Sequence, residues 1–239
     1  MTKPKVLHLI TRYLDGGAET TTRNTLEALA TGEADYDLYL GTGAEYDADE
    51  LAAVQEELGV ETVVFHSLRH YNPVGAVVAV FTVARYLRQH DIDILHTHST
   101  EAGIVGRWAG FFARTTVVIH EVHGDPITKD RNSILNKFIL GAERLSSLVT
   151  DKYIAKAEVI RDEFVRRGIG TESQYSVIRH GIDVKAFVTL SQDQVNDENT
   201  NRLLFGGRLD DGKCLFDLVE AMDILRHSYD VKLYIAGDG

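Results

Sequence analysis

The sequence predicts an α/β fold: a doubly wound parallel sheet, followed by the first βαβ unit of a second domain. Three observations predict it. Short runs rich in Val, Ile and Leu alternate with segments of helical period. The connections between them are short, and many carry Gly, Asn or Asp. Near the end, Ser191 to Asn201 reads SQDQVNDENTN, polar and without apolar periodicity, as a linker does.

Lys5 to Ile10 reads as a buried strand, and Gly16-Gly17 leads into a helix from about Ala18 to Ala30 with Leu26 and Leu29 facing inward. Tyr36 to Leu40 is the second strand, closed by Gly41-Thr42-Gly43. Asp49 to Leu58 is an acidic amphipathic helix in which Leu51, Val54 and Leu58 recur at helical spacing, with Gly59 as its C-terminal stop. Val60 to Phe65 is the third strand. Asn72-Pro73 opens a helix that runs to about His90. Its early turns are nearly all apolar, so it is expected to be well buried.

Ile92 to His96 is the fourth strand, Glu101 to Ala113 a helix, and Thr115 to Ile119 the fifth strand. After Gly124-Asp125-Pro126 come a helix from about Asn132 to Leu145 and a strand from Leu148 to Ala155. A helix from Glu158 to Arg167 and a short strand from Tyr175 to Ile178 follow. Residues 1–185 make the first domain, 186–201 the linker and 202–239 the opening of the second. That opening holds a strand from Arg202 to Phe205, a helix from about Leu215 to Arg226 and a strand from Val231 to Ala236. One βαβ unit cannot bury both faces of a parallel sheet. The chain is therefore expected to be the front part of a longer protein.

Charge and cysteine content narrow the function classes. The formal net charge is -11, a poor match for phosphate neutralisation, so general nucleic-acid binding is not expected. The acid excess fits simple solubility, and also a high-salt habitat. Cys214 is the single cysteine, so no internal disulfide forms and a reducing, cytoplasmic setting is the default. No run approaches the ~18 apolar residues of a membrane span, and the N-terminal apolar run is too short for a signal peptide.

Polar residues gather where three strands stop, and open α/β sheets place their sites outside the carboxyl ends of strands. Val117-Val118-Ile119 runs into His120, Glu121, His123, Gly124 and Asp125. Ile94-Leu95 runs into His96, Thr97, His98 and Ser99. Val6 to Ile10 is followed by Tyr13-Leu14-Asp15 and Gly16-Gly17. The three ends are read as one cleft with His123 at its centre, and His98, Ser99 and Glu121 are candidate substrate contacts by position.

Each motif has a functional and a plain reading. Gly16-Gly17 lets backbone approach a ligand and offers the next helix's N–H groups to an anion, or is an ordinary tight turn. It is not the dinucleotide fingerprint, because no Gly-x-Gly-x-x-Gly is present. Four histidines at 96, 98, 120 and 123 could hold a metal, but no carboxylate pattern accompanies them. A hydrogen-bonding or acid–base role is favoured, with His120 structural. Arg208 and Lys213, on a Gly-rich loop between strand and helix, can straddle a diphosphate or stand as two solvated charges.

Taken together the segments resemble glycosyltransferase family 4, retaining enzymes of GT-B fold that use nucleotide sugars. The matching pieces are LHLITRYLDGGAET, DILHTHSTEAGIVGRWAG, VVIHEVHG, YIAKAEVIRDEF, VIRHGID and LLFGGRLDDGKCLFDLVEAM ending in LYIAGDG. They come in the family's order and cover nearly the whole chain. The resemblance implies an acceptor-side Rossmann-like domain before the linker and the opening of the donor-side domain after it. By position, Gly16 and Gly17 match the glycine loop near the donor phosphates and acceptor. His123 matches the cleft histidine that contacts the transferred sugar, and Arg208 and Lys213 match the pair that holds the donor diphosphate. His180-Gly181-Ile182-Asp183 stands where the family has Asn-Gly-Ile/Val-Asp, so Gly181 and Asp183 keep the turn as candidate substrate contacts while the Asn is replaced. Cys214 stands where a glycine follows the lysine.

The resemblance further implies sugar transfer with retention by front-face attack, with no bound metal and no cofactor besides the nucleotide-sugar donor. The acceptor would be a glycan, a lipid-linked molecule or a small molecule. A lipid acceptor would allow peripheral membrane association without any span. The family's paired glutamates, which hold the donor sugar and ribose, would lie beyond Gly239. The alternatives are a non-catalytic acceptor-binding or docking fragment, and a UDP-sugar epimerase or phosphorylase of the same two-domain fold.

Overall fold

The computed structural model describes residues 3–68, 73–127, 131–182, 184, 201–207, 209 and 213–237. The chain divides into two compact units, Met1–Gly181 and Ile182–Gly239. The expected linker at 186–201 lies outside the described residues except for Asn201.

The first unit is a seven-stranded sheet, all parallel. Its strands are β1 (Lys5–Tyr13), β2 (Asp37–Tyr46), β3 (Glu61–Val64), β4 (Ile94–His98), β5 (Val117–Val122), β6 (Lys152–Ala155) and β7 (Tyr175–Val177). The helices are α1 (Gly17–Thr31), α2 (Ala48–Leu58), α3 (Pro73–Gln89), α4 (Thr100–Ala113), α5 (Ser133–Ser146) and α6 (Glu158–Arg166). The spatial order is β3-β2-β1-β4-β5-β6-β7. The chain thus winds outward from β1 to β3, then returns to lay β4 against the other side of β1. Between β1 and β4 the winding reverses, and this is where doubly wound sheets open a crevice at their carboxyl ends.

Strand parity sorts the side chains. Val6, Ile10, Leu38 and Leu40 pack under Leu26 of α1 and Leu51 and Val54 of α2. Leu7, Leu9, Tyr39 and Leu95 pack on the opposite face under α3 and α4. Helix α4 sits close because it turns glycines to the sheet. A Cβ on Gly103 would stand 2.4 Å from the His120 ring, and one on Gly106 2.4 Å from Thr97 Cγ2. Helix α2 is framed as its sequence asks: Asp47 accepts from the N–H groups of Asp49 and Glu50, and Gly59 ends it in the left-handed region at φ 66°.

Several elements differ from expectation. β1, β2, β4 and β5 all continue past the apolar runs that mark them, to Tyr13, Tyr46, His98 and Val122. The extensions of β1 and β2 pair with each other, Arg12 with Glu45 and Tyr13 with Tyr46, while β4 and β5 stay paired on both sides as far as Thr97 and Glu121. β6 starts at Lys152, because Ser147–Val149 extends α5 as a 3-10 turn in which Ser147 and Thr150 hydroxyls donate to the carbonyls of Arg144 and Ser146. Helix α3 is not well buried. Ala79, Val83, Ala84 and Leu87 face the core, but Val74, Val77, Val78 and Phe81 are 75, 60, 52 and 60% exposed. The helix lies as one layer on the sheet, so one stripe suffices for packing and the other faces outward.

The second unit holds β8 (Arg202–Gly206), α7 (Leu215–Leu225) and β9 (Lys232–Ala236), with β8 and β9 parallel and in register from Arg202↔Lys232 to Gly206↔Ala236. No helix among the described residues is long and apolar enough to cross a membrane.

A buried ion pair ties α4 to α5. Arg107, fully buried, donates from Nη2 to Glu143 Oε2 at 2.7 Å, from Nη1 to Tyr153 Oη at 3.1 Å and from Nε to the Gly103 carbonyl at 2.8 Å. Burial opposes the guanidinium charge, and Glu143 and Tyr153 outweigh it. Glu143→Ala would leave that charge uncompensated, so we expect a loss of about 3–5 kcal/mol in urea denaturation. A loss under about 1 kcal/mol would show that the pair does not hold α5 in place.

Candidate functional site

The polar ends of β1, β4 and β5 meet on the sheet face that carries α1 and α2. Register places His8 beside His96, and His98 beside Glu121. His123 follows two residues after Glu121, on the same side. His8 and His98 are fully buried, and His96 and Glu121 nearly so. His120 points to the other face. There its Nδ1 lies 3.0 Å from the Thr97 hydroxyl, which donates to the Ile119 carbonyl, so His120 is a satisfied structural group packed on Gly103.

The imidazoles form a chain. His8 Nδ1 is 3.0 Å from His98 Nε2, and His98 Nδ1 is 2.9 Å from His123 Nε2. A neutral His98 has one donor and one acceptor nitrogen, so the chain runs in one direction. Two observations give it. His8 Nε2 is buried without a partner, and an unmet lone pair is more often tolerated than an unmet N–H. Glu121 Oε2 lies 3.7 Å from His98 Nδ1, which favours a proton there. His8 therefore donates to His98, His98 donates to His123 Nε2, and His123 carries its own proton on Nδ1.

Glu121 is the charge at the centre. Its carboxylate lies 3.3 Å from His96 Nε2, 3.3 Å from His180 Nε2 and 3.9 Å from His123 Nε2. The His96 contact is close but not aligned as a hydrogen bond. Burial raises the Glu121 pKa, but His96, His123 and His180 outweigh it, so the carboxyl is held below its ordinary range. Burial lowers the pKa of His8 and His98, and drives His123 down to about 4. The three imidazoles of the chain are neutral near pH 7.

The α1 turn reaches this cluster through His180. Its Nδ1 is 3.3 Å from the Thr21 hydroxyl, and Thr21 also bonds the Gly17 carbonyl at 2.8 Å. Gly16 and Gly17 do not have the positive φ that demands glycine, Gly16 being extended at φ 177°. A Cβ on Gly17 would meet nothing within 4 Å, and one on Gly16 would meet only the flexible end of Glu19. The fold itself does not require these glycines, and they leave open space at the N-terminus of α1. Gly181 follows His180 at an exposed position.

Ser99 lines a small cavity with Glu121 and His123, and it also holds the turn it stands in. Its hydroxyl donates to the His98 carbonyl, accepts from the Thr11 N–H at 3.3 Å and lies 2.7 Å from the Thr11 hydroxyl, which accepts from the Ala102 N–H. These bonds use its hydrogen-bonding capacity and hold Ser99 at φ 65°, so it braces the β4–α4 turn. The loop after His123 is pinned by Lys156, which donates to the His123 carbonyl at 3.1 Å, and by Arg167, which grips Asp125 with two bonds of 2.6 and 2.9 Å.

Asp183 and Arg208 lie outside the described residues. Lys213 is exposed just ahead of α7, where Cys214 takes a left-handed conformation at φ 53°. His8 and His180 join the cluster without being among the candidates the sequence offers. The available signal for His8 was a lone polar residue inside an apolar strand, at the same parity as His96 and His98. Among the described residues, two groups could hold a metal by ligand type, His8–His96–His98 and His98–Glu121–His123, each with donor atoms within 4.8 Å of one another. The two direct imidazole–imidazole bonds already engage four ring nitrogens of these residues.

The family model for Glycosyltransferase Family 4 matches residues 15–186. A UDP-Gal:alpha-D-GlcNAc-diphosphoundecaprenol alpha-1,3-galactosyltransferase of Escherichia coli is 24% identical over 119 residues, half of this chain and 31% of that protein. Sucrose-phosphate synthase from Thermosynechococcus elongatus matches with a TM-score of 0.66 at 18% identity, over 98% of this chain and 62% of that one. UDP-GlcNAc 2-epimerase from Neisseria meningitidis, solved with UDP-GlcNAc, matches with a TM-score of 0.63 at 12% identity, over 97% and 64%. The chain thus spans about a third of the length of the curated relative and under two thirds of these structures. The likenesses show a GT-B-type fold.

The neutral cluster sets the sign of a pH response. A histidine whose folded pKa is lowered binds fewer protons folded than unfolded, so stability rises with pH across that interval. It is fully present above the unfolded value near 6.5 and is lost as pH falls from there toward about 4, where His123 charges. Each histidine kept neutral contributes a slope of about 1.4 kcal/mol per pH unit. Urea midpoints should fall steadily from pH 7 to pH 5, and His98→Leu should flatten the slope by about one histidine's share. A flat wild-type profile would mean that the cluster charges within the folded protein.

Proposed function

The chain belongs to glycosyltransferase family 4, and on that premise we propose that it supplies the acceptor side of an enzyme that moves a sugar from a nucleotide-diphosphate sugar to an acceptor. The observation that carries the reading is the position of His123. It ends a hydrogen-bonded imidazole chain at the carboxyl edge of the sheet, at the reversal between β1 and β4. A neutral imidazole held by His98 and protonated on Nδ1 is a fixed donor for a hydroxyl of the transferred sugar.

The step itself balances within the substrates. The bond from the anomeric carbon to the diphosphate oxygen breaks, the acceptor oxygen bonds to that carbon on the same face, and the acceptor proton passes to the leaving phosphate. Configuration is then retained. The protein supplies position and charge stabilisation. The N-terminus of α1 at Gly16 and Gly17 offers N–H groups and open space to the donor phosphates or acceptor. Arg208 and Lys213 are proposed to hold the donor diphosphate, and Gly181 and Asp183 to contact substrate. No metal or cofactor is assigned to the reaction.

We place the enzyme in the cytoplasm, with its acceptor lipid-borne at the membrane. The curated relative is named for a diphosphoundecaprenol acceptor, and the single cysteine fits a reducing compartment. The epimerase likeness makes a second reading concrete, and the substrate requirement separates the two.

In full-length protein, His123→Ala should cut turnover ~100-fold or more. Turnover near the parent level would remove His123 from the site. Gly17→Ala should leave the melting temperature unchanged while weakening substrate binding, because its Cβ meets only open space; an equal loss of stability would make the glycine structural. UDP, GDP and their sugar conjugates should bind by calorimetry, and sugar should leave the donor only when acceptor is present. Epimerisation of the donor without acceptor would establish the second reading.

A further inference from the structure

We propose that the outer face of α3, α4 and α5 is a docking surface for an anionic lipid bilayer, holding the sheet's carboxyl edge beside a lipid-borne acceptor. The acceptor part rests on the transferase reading above; the docking part does not.

Helix α3 carries the first observation. Val74, Val77, Val78 and Phe81 form an outward stripe over two turns, each more than half exposed. Arg85 and Arg88 continue the same stripe and are exposed. Phe81 stacks on Phe112 of α4 at 5.8 Å between ring centroids, and Phe112 contacts Phe111, so the patch crosses from one helix to the next.

Helix α5 repeats the arrangement independently. Its inner side buries Ile139, Glu143 and Ser146. Its outer side shows Ile134, Phe138 and Leu145, exposed by 78, 72 and 58%, at spacings of four and seven. Lys137 and Arg144 flank that stripe and are exposed. An outward apolar stripe edged by cations is the pattern of a helix lying in a bilayer interface, with long basic side chains reaching the head groups.

Charge decides the occupant. The chain is acidic overall, at -11. On the opposite layer, α2 alone exposes Asp49, Glu50, Glu56 and Glu57. The four exposed cations named on α3 and α5, with Arg114 at the end of α4, therefore lie on one layer of the first unit of an acidic chain. A negatively charged surface complements that side and is repelled by the other, which orients the protein. Helices that cross over a parallel sheet run opposite to its strands, so the N-terminal turns of α3 and α5 lie at the carboxyl edge that carries His123. Val74, Val77, Ile134 and Phe138 thus bring the bilayer surface to that edge.

Flotation of the untagged 239-residue chain with vesicles tests this. It should float with phosphatidylglycerol/phosphatidylcholine vesicles at low salt, and much less with pure phosphatidylcholine or at high salt. Phe81→Ser with Phe138→Ser, and separately Arg85→Ala with Lys137→Ala, should each lower the partition coefficient on the order of twentyfold while leaving the melting temperature unchanged. The second unit also exposes large apolar side chains, including Leu204 and Phe216, so the variants assign the binding to α3 and α5. Flotation by these variants equal to the parent would overturn the proposal. So would a parent that stays in solution, or one that forms a concentration-dependent dimer broken by Phe81→Ser without binding vesicles. Full-length turnover on a short-chain, water-soluble acceptor analogue is read beside it. Loss of vesicle binding with that turnover intact supports docking, and vesicle binding without any turnover would overturn the transferase reading alone.

Discussion

The reversal of winding between β1 and β4 is the constraint on which the first unit depends. A parallel sheet must be covered on both faces, and its crossovers are long and right-handed. With β1 to β3 wound one way and β4 to β7 the other, α1 leaves β1 over one face and α4 leaves β4 over the opposite face. The carboxyl ends of β1 and β4 are left between two departing helices. Both are central strands, and pairing of β1 with β2 and of β4 with β5 carries their ladders and polar residues into this region. The site is thus a product of topology, and its side chains are held by central strands.

Polar groups at such a position must satisfy one another. The imidazole chain from His8 through His98 to His123 does this with two short bonds and leaves one buried nitrogen without a partner. Glu121 remains ionised among imidazoles. A neutral imidazole chain beside a buried carboxylate sets the tautomer of its last member, which a mobile surface histidine would not have. On the other face the demand is met differently: Arg107, Glu143 and Tyr153 pair in full, and Thr97 satisfies His120. The first network ends at an accessible residue, while the second is closed.

The same layering that makes the site also separates the surface. Covering one face takes only the inner stripe of each helix, so the outer stripe is available for another task. On α2 it is acidic and solvated. On α3 and α5 it is apolar and edged by arginine and lysine. Contiguous apolar exposure is the general mark of an interaction surface. An acidic protein with one basic, greasy side has a preferred orientation at a charged interface, and the helix direction places the site at the edge of that side.

The sequence by itself determined the element order, the parallel winding and the segments where chemistry gathers. Periodicity and Gly, Asn and Asp punctuation carry that information locally. Gly59 ended α2 as its position required, and the motif order pointed to the family that matches residues 15–186. It placed His98, Glu121 and His123 near one another because each lies at a strand end. It did not show that His120 belongs to the other face, because parity depends on the strand continuing past Ile119, and only pairing on both sides makes it continue. Nor could it show that Ser99 bonds to Thr11, that His8 joins His98 across ninety residues of chain, or that the apolar start of α3 faces outward. These are relations between segments distant in sequence. An apolar run states what a helix can bury, and only the tertiary structure decides which side is covered.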